Sequence, residues 1–227
     1  MNLPGMQAVS LNGVALLAHV SGALFWPQQG LLAVADLHLE KASSLARRGD
    51  LLPPYDTAAT LERLASVVAA LKPSRLLFLG DSFHDPGGAA RLDPMDRARL
   101  ADLASRLELI WIEGNHDLGG LPRDLGSTQA ELTLGALTFR HEALAQSGAG
   151  EISGHFHPKA RLKVSTGRTT ARCFIFDRRR LILPAFGALT GGLEVRDPAI
   201  AGLFPQGFKL IALGKSTAVL LPEKALG

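Results

Sequence analysis

The sequence predicts an α/β fold of two stacked sheets with helices outside. Three observations predict it. Short apolar runs at Leu31–Ala35, Arg75–Leu79 and Leu109–Ile112 read as strands covered on both faces. Amphipathic helical stretches separate them, so strand, helix, strand recurs and these strands are expected to lie parallel. Past residue 170 the long helices stop, and short strands joined by turns imply antiparallel pairing.

Taken in order, residues 1–30 hold scattered apolar residues, with Val14–Leu17 and Ala23–Trp26 as a strand pair at a sheet edge. His19 lies here outside any motif and reads as structural. The run Leu31–Ala35 ends in Asp36-Leu37-His38. On an extended chain residues i and i+2 point the same way, so Asp36 and His38 can reach one ion. Glu40 to Asp50 is polar, with Lys41, Arg47 and Arg48, and Pro53-Pro54 breaks any helix. A helix follows with Asp56 as its N-cap. Leu61, Leu64, Ala65 and Val68 form its apolar face, and Lys72 and Pro73 end it. Arg75–Leu79 leads into Gly80-Asp81-Ser82-Phe83-His84-Asp85. Asp93-Pro94 opens the next helix, with Leu100, Leu103, Ala104 and Leu107 facing inward. Leu109–Ile112 then leads into Glu113-Gly114-Asn115-His116-Asp117.

The second half repeats the pattern of strand and ligand. Ala136–Phe139 precedes His141, and Glu151–Ser153 precedes Gly154-His155-Phe156-His157. Arg172–Phe176, Arg180–Leu183, Phe208–Ile211 and Ala218–Leu221 read as strands, with Asp177-Arg178-Arg179 as a hairpin turn. The trio Arg178 to Arg180 reads as a solvated turn. No repeat or linker is evident, so a single domain over residues 1–227 is expected.

Composition bounds the rest. The chain has 227 residues, 47% hydrophobic and 20% charged, enough apolar content for a core and against disorder. One cysteine excludes an internal disulfide and suggests a reducing, cytoplasmic setting. No apolar run approaches the roughly 20 residues of a membrane span, and the N-terminus lacks the pattern of a signal peptide. The net charge is +3, carried mainly by arginine, a good phosphate partner, although an arginine-rich composition explains it equally well.

Asp36, His38, Asp81, Asn115, His116, His141, His155 and His157 follow strand-like runs or glycine turns. They offer oxygen and imidazole donors and no thiolate, which suits manganese, iron or zinc better than calcium. Counting His84 in Gly80 to Asp85, six of the seven histidines fall in the motifs.

The order Asp-X-His, Gly-Asp, Gly-Asn-His-Asp, His, Gly-His-X-His resembles the calcineurin-like metallophosphoesterase superfamily. That resemblance implies a four-layer αββα sandwich of two mixed sheets with two divalent metal ions. Asp36, His38 and His157 would hold the first ion and Asn115, His141 and His155 the second, with Asp81 bridging. Two such ions bind the phosphoryl oxygens and lower the pKa of a water between them. His116 is the candidate acid for the leaving oxygen, with Asp117 to orient it and raise its pKa.

Asp36-Leu37-His38-Leu39-Glu40-Lys41, Leu52-Pro53-Pro54-Tyr55-Asp56-Thr57 and Gly80 to Asp85 are more closely similar to the bacterial ligase-associated DNA damage response endonuclease family. Leu183-Pro184-Ala185-Phe186-Gly187 and Thr190-Gly191-Gly192-Leu193 match as well. This implies a manganese-dependent endonuclease acting on single-stranded DNA, associated with a DNA ligase, a helicase and an exonuclease. His84 belongs to the motif of this family, to touch the substrate phosphate or to support a ligand. Two alternatives remain open: the same ions acting on a small nucleotide or phosphate ester, and a non-enzymatic scaffold, which the complete ligand set disfavours.

Overall fold

The computed structural model describes residues 5–164 and 167–226 of the chain. It has two mixed sheets. The first contains β1 (Met6–Leu11), β2 (Val14–His19), β3 (Leu24–Trp26) and β4 (Leu31–Val34) as an antiparallel run. It continues parallel through β5 (Arg75–Leu79), β6 (Glu108–Ile112) and β7 (Ser127–Gln129). Helices α1 (Lys41–Ala46) and α2 (Asp56–Leu71) lie between β4 and β5. α3 (Gly88–Arg91) and α4 (Pro94–Arg106) lie between β5 and β6.

The second sheet contains β8 (Glu131–Leu134), β9 (Leu137–Arg140), β10 (Glu151–Ser153), β11 (Lys159–Val164), β12 (Gly167–Phe176) and β13 (Arg180–Ile182). After a single turn, α5 (Pro198–Ala201), come β14 (Lys209–Leu213) and β15 (Ala218–Pro222). The strand order is β15-β14-β12-β13-β10-β9-β8, with β11 paired to β12. β9, β10 and β13 run parallel at its centre; the flanking pairs are antiparallel.

Side-chain alternation explains the layering. On β4 and β5, Leu31, Ala33, Leu77 and Leu79 face the second sheet and pack on Phe139, Ile152, Phe174 and Leu183. Their neighbours Leu32, Val34, Leu76 and Phe78 face outward onto Leu61, Leu64 and Val68 of α2 and Leu100 and Leu103 of α4. Phe78 stacks on Trp111 with ring centroids 3.9 Å apart. The outer face of the second sheet is covered by α5, Val195, Phe204 and Phe208, an abbreviated fourth layer.

Some sequence readings shift. The sheet edge is β1, beyond the expected strand pair, and α1 occupies part of the segment read only as polar. Asp93 caps α4 as expected, accepting from the Met95 N–H at 2.8 Å. Asp56 does not cap α2. Tyr55 holds the N-cap position without a side-chain bond, and the Asp56 carboxylate accepts the Lys41 and Ala42 N–H groups at the start of α1. Arg180 is buried rather than solvated, its Nε 3.6 Å from Glu151 and its guanidinium donating to the Leu144 carbonyl. The turn itself forms as read: Asp177 Oδ1 accepts the Arg179 and Arg180 N–H groups.

Candidate metal centre

The C-terminal ends of β4, β5, β6, β9 and β10 open on one end of the sandwich. Each is followed by one of the motifs. The first two motif loops pair like a short parallel ladder: Asp36 N–H donates to Gly80 O, His38 N–H to Asp81 O and Leu39 N–H to Ser82 O. The segment after β13 stitches the sheets together at this end. Leu183 N–H donates to Ser153 O, Phe186 N–H to Ala35 O and Gly187 N–H to Asp36 O. Arg63 donates to the Phe186 carbonyl and lies over its ring, while Arg172 donates to the Ala185 carbonyl.

Glycine is required where backbones cross behind the donors. A Cβ on Gly114 would sit 2.2 Å from Asp81 N and Oδ1. Gly80 has φ +76°, and a Cβ there would strike the His141 ring at 2.3 Å. The i, i+2 pairs converge, but not on an extended chain. Asp36, His38, His155 and His157 have φ of 53°, 46°, 70° and 48°, and Asp81 and Glu40 are also left-handed. A left-handed residue turns the chain back on itself, so alternate side chains point to one spot. Such backbone costs about 1–2 kcal/mol per non-glycine residue. Among the described residues only Asn12 and Lys72 share it outside this end.

Two donor groups result. Asp36, His38 and His157 form one: His38 Nε2 lies 3.3 Å from His157 Nε2, which lies 3.5 Å from Asp36 Oδ1. Asp81, His141 and His155 form the other, with His155 Nδ1 3.1 Å from His141 Nε2. Asn115 Oδ1 joins it at 2.9 Å from His141 Nε2. Asp81 faces both. Its Oδ2 is 3.8 Å from His38 Nε2 and its Oδ1 is 3.5 Å from His141 Nε2. Ligand bonds of about 2.0–2.2 Å give donor–donor edges of roughly 3.0–3.5 Å, so both groups fit a divalent cation. His141 Nδ1 donates to Leu79 O, which fixes its Nε2 toward the group, a common arrangement for metal-bound histidine. The Asp36 carboxylate is held by the His155 N–H, and Asp81 Oδ1 accepts the His116 N–H.

A third group, His38, His84 and His116, lies alongside. Burial first, then the nearby His157, His116 and His84 rings and Lys41, pushes His38 down to about 2. Burial, Lys41 and His116 also hold His84 below the usual histidine range. His155 is lowered by burial and by His141. His116 Nδ1 donates to the His84 carbonyl at 3.1 Å, leaving Nε2 4.0 Å from Asp81 Oδ2.

Asp117 does not orient His116, as the sequence had suggested. It is fully buried. Oδ2 accepts the Ser82 and Phe83 N–H groups at 2.6 and 3.2 Å, and Oδ1 accepts the Gly114 N–H at 2.9 Å. It latches the second motif loop to the third. Burial holds its carboxyl above the usual carboxylate range, against the pull of those amides. The sequence reading also missed a polar brace. Buried Glu40 accepts from Thr57 and Ser43, Arg91 donates to Ser43, and Arg91 pairs with Asp85 through two bonds of 2.7 and 2.8 Å. Arg91 in turn depresses the Asp85 pKa.

The calcineurin-like phosphoesterase family matches this sequence over residues 31–174, more than half of the chain and every motif up to Gly154-His155-Phe156-His157. The chain belongs to that family. It is therefore a metal-dependent phosphoesterase, a hydrolase, and its fold is the two-sheet sandwich of the family. Among solved structures, Pseudomonas putida nuclease MPE is similar to this phosphoesterase at 29% identity and a TM-score of 0.75, over 94% of this chain and 100% of that one. Yfce, a phosphoesterase from E. coli, aligns over 87% and 99% at 14% identity and a TM-score of 0.42, too distant to argue from. No curated protein sequence matches the chain. No helix among the described residues is long and apolar enough to cross a membrane.

Proposed function

We propose that this phosphoesterase is a single-domain, cytoplasmic, manganese-dependent DNA endonuclease that cuts single strands during repair. What carries the reading is the coupling of two donor groups through Asp81, one carboxylate oxygen toward each. A second support is its similarity, over nearly the whole chain, to a protein named as a nuclease. The DNA ligase, helicase and exonuclease implied by the closer sequence resemblance are its proposed functional associates.

Asp36, His38 and His157 would hold one cation, and Asn115, His141 and His155 the other, with Asp81 shared. Bound there, two divalent cations would offset phosphoryl charge and lower the pKa of a water between them. The chain's own groups do the rest. The Leu79 carbonyl and the His155 and His116 amides aim the donors before substrate arrives. His116 is tied at Nδ1, so in its protonated form it presents the Nε2 proton for the leaving oxygen. His84, whose ring stacks on that of His116 with centroids 5.2 Å apart, stands beside it as a partner for phosphate oxygens. The His116 side chain is 41% exposed, so a substrate can reach it from solvent.

The experiment is cleavage of circular single-stranded DNA by protein loaded with Mn2+, compared with protein treated with chelator. Linearisation with metal, none with chelator, and a loss of at least about 100-fold in Asp81→Asn are expected. An intact circle beside rapid turnover of small phosphate esters would move the substrate to that class instead.

A further inference from the structure

The motif Leu52 to Thr57 has no part in the donor groups, yet it is mounted directly beside them. α1 begins three residues after His38. Its first two amides are held by the carboxylate of Asp56, the residue after Tyr55. Thr57 accepts the Glu40 N–H at 2.8 Å, and His84 N–H donates to Leu39 O at 3.0 Å. The segment is thus anchored beside the first motif loop, which the Leu39–His84 bond ties to the second. It presents Leu51, 84% exposed, and Tyr55, the single tyrosine, 73% exposed. Exposed apolar side chains grouped at the edge of a site mark a binding surface. Pro53-Pro54 stiffens the approach to Tyr55, and the Tyr55 side chain, which makes no capping bond to α2, stands mostly in solvent. On the same short stretch Arg47 and Arg48 are exposed, and Lys41 and Arg48 are near enough to His84 to help depress its pKa.

We infer that Lys41, Arg48 and the Leu51–Tyr55 segment form a nucleotide-docking rim. Lys41 and Arg48 hold a phosphate neighbouring the scissile one, and Tyr55 stacks on an unpaired base with Leu51 beside it. The inference rests on the nucleic-acid reading above and deepens it. Charge complementarity selects a polyanion, and the aromatic face selects unstacked bases. In a duplex both faces of each base are already covered, so the rim favours unpaired strands.

The test measures kcat/KM for an oligonucleotide and for bis-p-nitrophenyl phosphate, which has no base. Wild type is compared with Tyr55→Ala, Tyr55→Phe, Lys41→Ala and Arg48→Ala. Tyr55→Ala is expected to lower the ratio of oligonucleotide to small-diester kcat/KM by roughly 5- to 100-fold, through KM, and to shrink the preference for single strands over duplex. Tyr55→Phe, which keeps the ring, is expected to restore it. Lys41→Ala and Arg48→Ala are expected each to flatten the slope of log affinity against log salt by about 0.7. An unchanged ratio in Tyr55→Ala overturns the rim while leaving the nuclease reading standing. A wild type that hydrolyses the small diester but no oligonucleotide overturns both.

Discussion

His116 shows how a single side chain is committed to one task. Its Nδ1 is bonded to a carbonyl, its amide supports Asp81, and its Nε2 faces the space between the donor groups. A proton donor matters only where the leaving oxygen is a poor one. A deoxyribose hydroxyl needs it; p-nitrophenolate, stable as an anion, does not. His116→Ala is therefore expected to slow oligonucleotide cleavage by about 10²- to 10⁴-fold and to slow bis-p-nitrophenyl phosphate hydrolysis far less. Parallel turnover assays on the two substrates check this, and equal losses would assign His116 to metal binding. The chemical identity of such residues was legible, because six histidines in ordered motifs are hard to explain otherwise. Which contacts they make was not. Asp117 adjoins His116 in sequence, yet its oxygens are taken by three amides from two loops, and no local pattern announces such a bond.

At the level of elements, legibility followed local physics. The runs that became β4, β5 and β6 were readable because burial on both faces demands continuous apolar residues, and α4 because Asp93-Pro94 is a local start signal. β1, β7, β8 and β11 were not anticipated. They are edge or hairpin strands with mixed burial, so they lack that signal. α1 escaped for a different reason: its start is supplied by Asp56, fifteen residues downstream of Lys41. That dependence is testable. Asp56→Ala leaves two N–H groups at the start of α1 without their acceptor and is expected to cost about 1–2 kcal/mol. Urea unfolding reads the loss. Hydrogen exchange is expected to locate it in residues 41–46 and in the neighbouring Leu39–His84 contact, with α4 unaffected. Uniform deprotection, or none, would show that α1 is held by other contacts.

Across the whole molecule, the two sheets meet at an end that is costly to assemble without cations. Six left-handed non-glycine residues and a set of facing imidazoles are gathered there, and burial keeps His38 and His155 from taking up protons. The sign of the consequence is fixed. The folded His38 pKa, about 2, lies below its unfolded value near 6.5. Above pH 6.5 both states are neutral at this residue and the stability is fully present. As the pH falls below 6.5 the unfolded chain takes up a proton that the folded chain refuses, and stability is lost. For His38 alone the loss is about 1.4 kcal/mol by pH 5.5, or roughly 3–6 °C in Tm. His84 and His155, also lowered by burial, add in the same direction. Metal-free protein followed by calorimetry from pH 7.5 to 5.5 is expected to lose stability along this course, with a shallower slope in His38→Gln. At pH 7.5, free Mn2+ at a hundredfold excess over its Kd is expected to add about 2.7 kcal/mol per site, because the folded chain alone presents the two donor groups together. A metal-free protein whose Tm is flat with pH and indifferent to Mn2+ would mean that these imidazoles are neither dry nor shared by a cation.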